Sequence, residues 1–208
     1  MQLPLRPISD CYGYDRGTPV DRIYIEAFLD QHRHDIRGHG AEIKTDSYLR
    51  RFGRDQIRLT TVIDIDPDNP WVRLRADLCQ PASLPTDTFD CILLTQTLQL
   101  LANPAAALAN CHQALRPSGA LLVTVPCVGR ISPSSRSQDR WRFTPAGLRE
   151  LFTAWDGPVT VTGHGNLRAC LAALLGEAAE DLTSEDLEHH DPDFPLVACT
   201  VAHRMDPR

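Results

Sequence analysis

Residues 60–101, TTVIDIDPDNPWVRLRADLCQPASLPTDTFDCILLTQTLQLL, contain three short apolar runs, and each stops at a polar residue. TTVID ends at Asp64 with Asp66 just beyond, WVRLRAD ends at Asp77, and FDCILLT ends at Thr95 and Gln96. Runs this short, rich in β-branched residues or leucine and bounded by Pro, Asp and Asn, read as buried strands of a parallel sheet. Ligands of such sheets collect outside the carboxyl ends of the strands. An α/β protein is therefore expected, with these polar ends on the rim of one crevice.

Together with LRPSGALLVTVP at 115–126, the stretch resembles the class I S-adenosylmethionine (SAM)-dependent methyltransferases of the methyltransferase type 11 kind. The acidic end of TTVID, Ala76-Asp77-Leu78, Leu84-Pro85 followed by Phe89-Asp90, and TQTLQLL carry the resemblance, which covers most of the chain. It implies a Rossmann-like fold, with a mostly parallel seven-stranded sheet, the last strand antiparallel, and helices on both faces. It also implies SAM as cofactor and S-adenosylhomocysteine as product. Asp77 and Leu78 would flank the adenine, and Thr95 and Gln96 would lie under the methionine part.

A typical relative has, at its first strand, an acid followed by a G-x-G-x-G-like turn, because glycine lets backbone N–H groups approach the ligand. In GAEIKTDSYLRRFG, residues 40–53, Glu42 fits the acid but residues 43–48 contain no glycine. A subset of small methyltransferase-like proteins has a similar E-I-x-x-x-x-Y-x-x-x-F-G stretch. Glu42, Lys44, Thr45 and Tyr48 are the cofactor-loop candidates. Asp64 and Asp66 follow Glu42 by about 20 residues, the separation at which this type of fold places a carboxylate for ribose hydroxyls. Asp64 closes the apolar run and Asp66 precedes Pro67; both are candidates, Asp64 the preferred one, and at least one is expected to cap the turn through the backbone.

Outward from this centre, one domain over 1–208 is expected, with a lid segment and helix at 1–38 and the α/β core at 39–208. Thr18 can cap a helix with Pro19 at its first position, and Val20, Ile23, Tyr24, Ala27 and Phe28 recur at helical spacing. The glycine-broken segment before it offers Tyr14 and Arg16 as substrate contacts, with Tyr12 and Asp15 beside them; a surface turn anchoring the helix fits equally. Asn103-Pro104 and Thr144-Pro145 start two more helices by the cap-then-proline device, and Thr183 to Asp186 restarts a short one. The connection 127–143, CVGRISPSSRSQDRWRF, is long for a compact domain. Its Arg140, Trp141 and Arg142, with Arg130 and Arg136, suit an anionic or sugar-like substrate, or a solvated loop that Trp141 packs down. His164, between Gly163 and Gly165 near a strand end, and Gln96 are the catalytic candidates.

The 208 residues are 42% apolar and 23% charged, with a net charge of −6. An acidic balance argues against binding nucleic acid, which calls for a basic field. No run approaches a membrane span, and MQLPLRPISD lacks the apolar centre of a signal peptide, so a cytoplasmic protein is expected. Seven scattered cysteines without a C-x-x-C pair read as reduced core residues. No metal is expected, since His189-His190-Asp191 lacks further ligands at metal-binding spacing. The leading functional expectation is methyl transfer to a small molecule or glycan. The glycine-free loop leaves open a binding partner without transfer activity and an enzyme of this fold running another reaction.

Overall fold

Each apolar run becomes a strand in the computed structural model, which describes residues 4–206. The strands are β1 Gly38–Ile43, β2 Ile57–Asp64, β3 Leu74–Arg75, β4 Phe89–Thr95, β5 Leu115–Pro126, β6 Val159–His164 and β7 Val197–His203. They form one sheet in the order β3-β2-β1-β4-β5-β7-β6. The first five pair in parallel, and β7 runs antiparallel to both β5 and β6. This is the Rossmann-like methyltransferase arrangement.

Alternation along the strands sends side chains to two cores. From β4 and β5, Ile92, Leu94, Leu121 and Val123 face α2 (Pro104–Ala114) and α3 (Pro145–Leu151). Cys91, Leu93 and Leu122 face the other way, against α1 (Val20–Gln31) and α4 (Leu167–Leu175). The cysteines are free, four of them buried, and burial pushes the Cys91 and Cys111 thiols up to about 12. Among the described residues, no helix is long and apolar enough to cross a membrane.

Asn103 and Thr144 cap α2 and α3 through the amides of Ala106 and Gly147, each with proline next. Thr183 and Asp186 form a capping box on α5 (Ser184–Glu188). Thr18 does not cap α1: the cap position is Pro19, and the Thr18 hydroxyl donates instead to Glu180 at 2.8 Å. The WVRLRAD strand shrinks to the two residues of β3, since it pairs only at the sheet edge. α4 (Leu167–Leu175) stops at Gly176, whose φ of +76° turns the chain.

Between β1 and β2 there is no regular α-helix. A π-helical turn, Leu49–Gly53, and a 3-10 turn, Arg54–Gln56, take its place. Gly40 permits this, because a Cβ there would come within 2.6 Å of Leu49 Cδ2. Leu49 thereby seats directly on β1, fully buried.

Candidate active site

The strand ends converge as the topology requires. At the end of β1, Glu42 is 3% exposed and accepts the Leu49 amide at 2.9 Å and the Tyr48 amide at 3.3 Å. Burial raises its carboxyl to about 7, with those two amides pulling it back. Glu42 therefore shapes the loop from beneath and offers no free oxygen to a ligand. Lys44, next on the rim, has a φ of +70°, the left-handed conformation that glycine adopts without strain.

What holds Lys44 there is Asn69, whose Nδ2 donates to the Lys44 carbonyl and to Asp64 Oδ2, both at 2.8 Å. One amide thus ties the loop after β1 to the end of β2. Asp64 is 6% exposed, and its other oxygen accepts the amides of Ile65 and Asp66. Asp66 is exposed and engages only the Asp68 amide, at 2.9 Å, through one oxygen. Thr45 is exposed and accepts the Ser47 amide. Tyr48 turns towards α1, where Arg22 Nη1 donates to its hydroxyl at 3.4 Å.

At the next strand end, Asp77 accepts the Cys79 amide at 2.9 Å and is half-buried. Leu78 is 5% exposed, packed in the core with its carbonyl held by Asn110, so it supplies no open wall. Beyond Thr95, Gln96 has a φ of +48°, and its amide donates to the Thr124 carbonyl at 2.9 Å. Non-glycine residues in such conformations concentrate at functional sites.

Gln96 opens onto a cleft of about 260 Å³ at the carboxyl ends of β4 and β5. Its floor is apolar, from Leu100, Pro126, Leu196 and Val197. One wall is Tyr12, Tyr14 and the start of α1; the other is the connection 128–142. Gln96 Nε2 and Gln99 Oε1, a donor and an acceptor, are buried there without a hydrogen-bond partner among the described residues. Leaving such atoms unpaired costs about 1–3 kcal/mol each, which a ligand's polar group would recover.

Asp21 lines the same cleft from the first turn of α1, and burial raises its carboxyl above the usual range despite Arg22 beside it. By sequence alone Asp21 is simply an acid in the first turn of a helix. Its exposure to the cleft follows from the strap before α1, which no local pattern reports. Gly13, at φ +91°, lies so close to the Glu177 carbonyl that a Cβ would sit 2.7 Å from it. Thr18 joins Glu180, and Pro19 bridges to Ala178.

The two segments expected to flank the substrate do meet. Arg130 donates to the Asp10 carbonyl at 2.6 Å and lies 5.6 Å from the Tyr12 ring centroid. Tyr14 and Arg142 line the cleft, Arg142 held by Asp139. The other members of these segments face elsewhere. Arg16 forms a fork with Asp181 at 3.0–3.1 Å, outside the cleft. Arg140 Nη1 and Trp141 Nε1 donate to the carbonyls of Leu100 and Leu101 and pin the connection to the turn after β4.

His164 also lies apart. It ends β6, but β7 intervenes between β5 and β6, so its ring opens on a separate hollow with Tyr24, His189 and His190. Its Nε2 meets Thr162 Oγ1 at 2.9 Å, and burial lowers its pKa.

The carboxylates suit SAM: exposed Asp66 lies just beyond β2 and half-buried Asp77 just beyond β3, both on the same carboxyl-end rim of the sheet as Gln96. No curated protein matches the chain in sequence. Solved structures do match in fold, 588 chains in all. A SAM-dependent methyltransferase from Archaeoglobus fulgidus is 11% identical, over 88% of this chain and 94% of that one, with a TM-score of 0.58. The [4+2]-cyclase SpnF is 16% identical, over 92% and 84%, at 0.62. A SAM-dependent methyltransferase from Mesorhizobium loti is 16% identical, over 82% and 93%, at 0.55. The methyltransferase-domain family model matches residues 7–171, from the strap through most of α4, and the chain therefore belongs to the class I SAM-dependent methyltransferases.

Proposed function

We propose that the methyl acceptor is a small polar molecule or glycan whose hydroxyl or amine enters the cleft beside Gln96. The observation that carries this reading is the pair of buried, unpartnered amide atoms, Gln96 Nε2 and Gln99 Oε1, in a cleft with an apolar floor. A hydroxyl both donates and accepts, so a single one matches the pair. Tyr12 and Tyr14 offer aromatic faces to a ring. Arg142, whose terminal nitrogens are taken by Asp139 and the carbonyls of Gly129, Arg130 and Trp141, shapes the opposite wall rather than contacting the acceptor. The acidic chain supports a small acceptor over nucleic acid.

SAM supplies the methyl group on an already activated sulfonium. The protein then needs to position the acceptor and take its proton. Asp21 is the base in this reading, since its raised carboxyl faces the cleft. On the cofactor side, Asp66 takes the ribose, because Asp64 already serves three donors. Lys44 and Thr45 contribute through the loop backbone, Asp77 lies by the adenine, and Gln96 marks the boundary with the acceptor. Glu42 and Tyr48 support the loop, and His164 has no part.

Calorimetry with S-adenosylhomocysteine and a screen of hydroxylated and amino acceptors with methyl-labelled SAM test the proposal. One product molecule per chain is expected to bind, and Gln99→Ala and Asp21→Asn are expected to reduce transfer with little loss of cofactor affinity. Absence of binding at millimolar ligand would sink the cofactor assignment. Full transfer by Asp21→Asn would remove the base.

A further inference from the structure

At the opposite end of the sheet, α1 leads into β1 through the turn His32-Arg33-His34-Asp35. Three ligand atoms converge there: His32 Nδ1, His34 Nε2 and one oxygen of Asp35 all lie within 4.8 Å of one another. His32 Nδ1 is 3.4 Å from Asp35 Oδ2, and His34 Nε2 is 3.3 Å from the same oxygen. These separations are not hydrogen bonds, since Asp35 Oδ2 has no such partner among the described residues. They equal the spacing of two ligands on a tetrahedral zinc ion, about 3.3–3.4 Å for bonds near 2.0–2.1 Å.

Hydrogen bonding gives the same indication independently. Among the described residues, His32 Nδ1 and Asp35 Oδ2 are buried atoms without a hydrogen-bond partner. The second Asp35 oxygen is held by His203 Nε2 at 2.9 Å, from the end of β7. An outer histidine that orients a carboxylate while its other oxygen points at a common centre is the arrangement that supports metal ligands. His34 is 71% exposed at its side chain, which leaves a coordination position open to water. Among the described residues this is the one group of three such ligands.

We propose that His32, His34 and Asp35 bind a borderline divalent cation of the zinc class, with His203 positioning Asp35. Two imidazoles and one carboxylate suit such an ion rather than magnesium or calcium, which take oxygen ligands. The site lies at the amino ends of the parallel strands, away from the cleft, so it acts as a clamp. It joins the end of α1 and the entry to β1 to the end of β7.

The test uses the full chain without an affinity tag, Zn²⁺ alone as probe, and competition against a chromogenic chelator. One zinc per chain is expected, with a melting temperature that rises with added Zn²⁺. His34→Ala removes an exposed side chain, so the variant keeps its fold, and zinc affinity is expected to fall about tenfold or more. His32→Ala should weaken binding likewise, and a His189→Ala, His190→Ala double variant should bind as the parent does. Absence of stoichiometric zinc in the parent, unchanged binding in His34→Ala, or loss of binding in the double variant would each overturn the site.

Discussion

Replacing Asp64 and Asp66 separately with alanine should break two different things. Asp64 accepts the amides of Ile65 at 2.8 Å and Asp66 at 3.1 Å, and Asn69 Nδ2 at 2.8 Å. Hydrogen bonds to a charged group contribute about 1.5–3 kcal/mol each, but two turn amides at the surface can recover water, so a net loss of about 2–3 kcal/mol is expected. In a domain of this size that lowers the melting temperature by roughly 5–10 °C. Asp66 is exposed and holds only the Asp68 amide, so Asp66→Ala should cost about 0.5 kcal/mol. If Asp66 binds the ribose, the same variant should weaken S-adenosylhomocysteine binding ten- to a hundredfold in calorimetry. Parent-like binding by Asp66→Ala together with a parent-like melting temperature for Asp64→Ala would refute both assignments.

Glu42 makes stability depend on pH. Its carboxyl rises from 4.5 to about 7 on burial, so its contribution is complete below pH 4.5 and is lost as pH rises through 7. The span is at most about 3 kcal/mol. Urea unfolding between pH 4.5 and 8 should show this decline in the parent and a flatter profile in Glu42→Gln; identical profiles would exclude Glu42 as its source. Arg16→Ala breaks a pair whose side chains are 39% and 36% exposed, so a loss of no more than about 1 kcal/mol is expected, with ligand binding unchanged. Asp139→Ala releases Arg142 from a carboxylate only 7% exposed, and trypsin should cut the 128–142 connection faster. Equal cleavage rates would show that the pair does not hold that wall.

Signals that were local in the chain were legible. The stops at Asp64 and Thr95, and the caps at Asn103, Thr144 and Thr183, depend on neighbours within four residues, and each lies at an element's end; Asp77 falls two residues beyond β3, which its edge position cuts short at Arg75. Thr18 had the same local pattern, yet Glu180 claims its hydroxyl across 162 residues. His164 ends the right kind of strand, but the order of strands, rather than the sequence around it, sets its distance from Gln96. The glycine-free loop works through Asn69, a turn residue by composition, because its amide reaches two carboxyl ends at once. The histidines at 189 and 190 drew notice by adjacency. His32 and His34 gain theirs only once Asp35 is fixed by His203 from the far end of the chain.

The placement of β7 between β5 and β6 also governs how the chain is made. β6 pairs only with β7, so as it emerges from the ribosome it has no partner and its amides face water. Some thirty residues separate the end of β6 at His164 from the start of β7 at Val197, roughly 2–7 s of synthesis at ordinary rates. During that interval β5 presents an open, strongly apolar edge, the sort of surface that chaperones hold and that neighbouring nascent chains can pair with. A chain released before Val197 would keep that edge permanently. Premature termination before the last strand should therefore yield aggregation rather than a shortened, working enzyme.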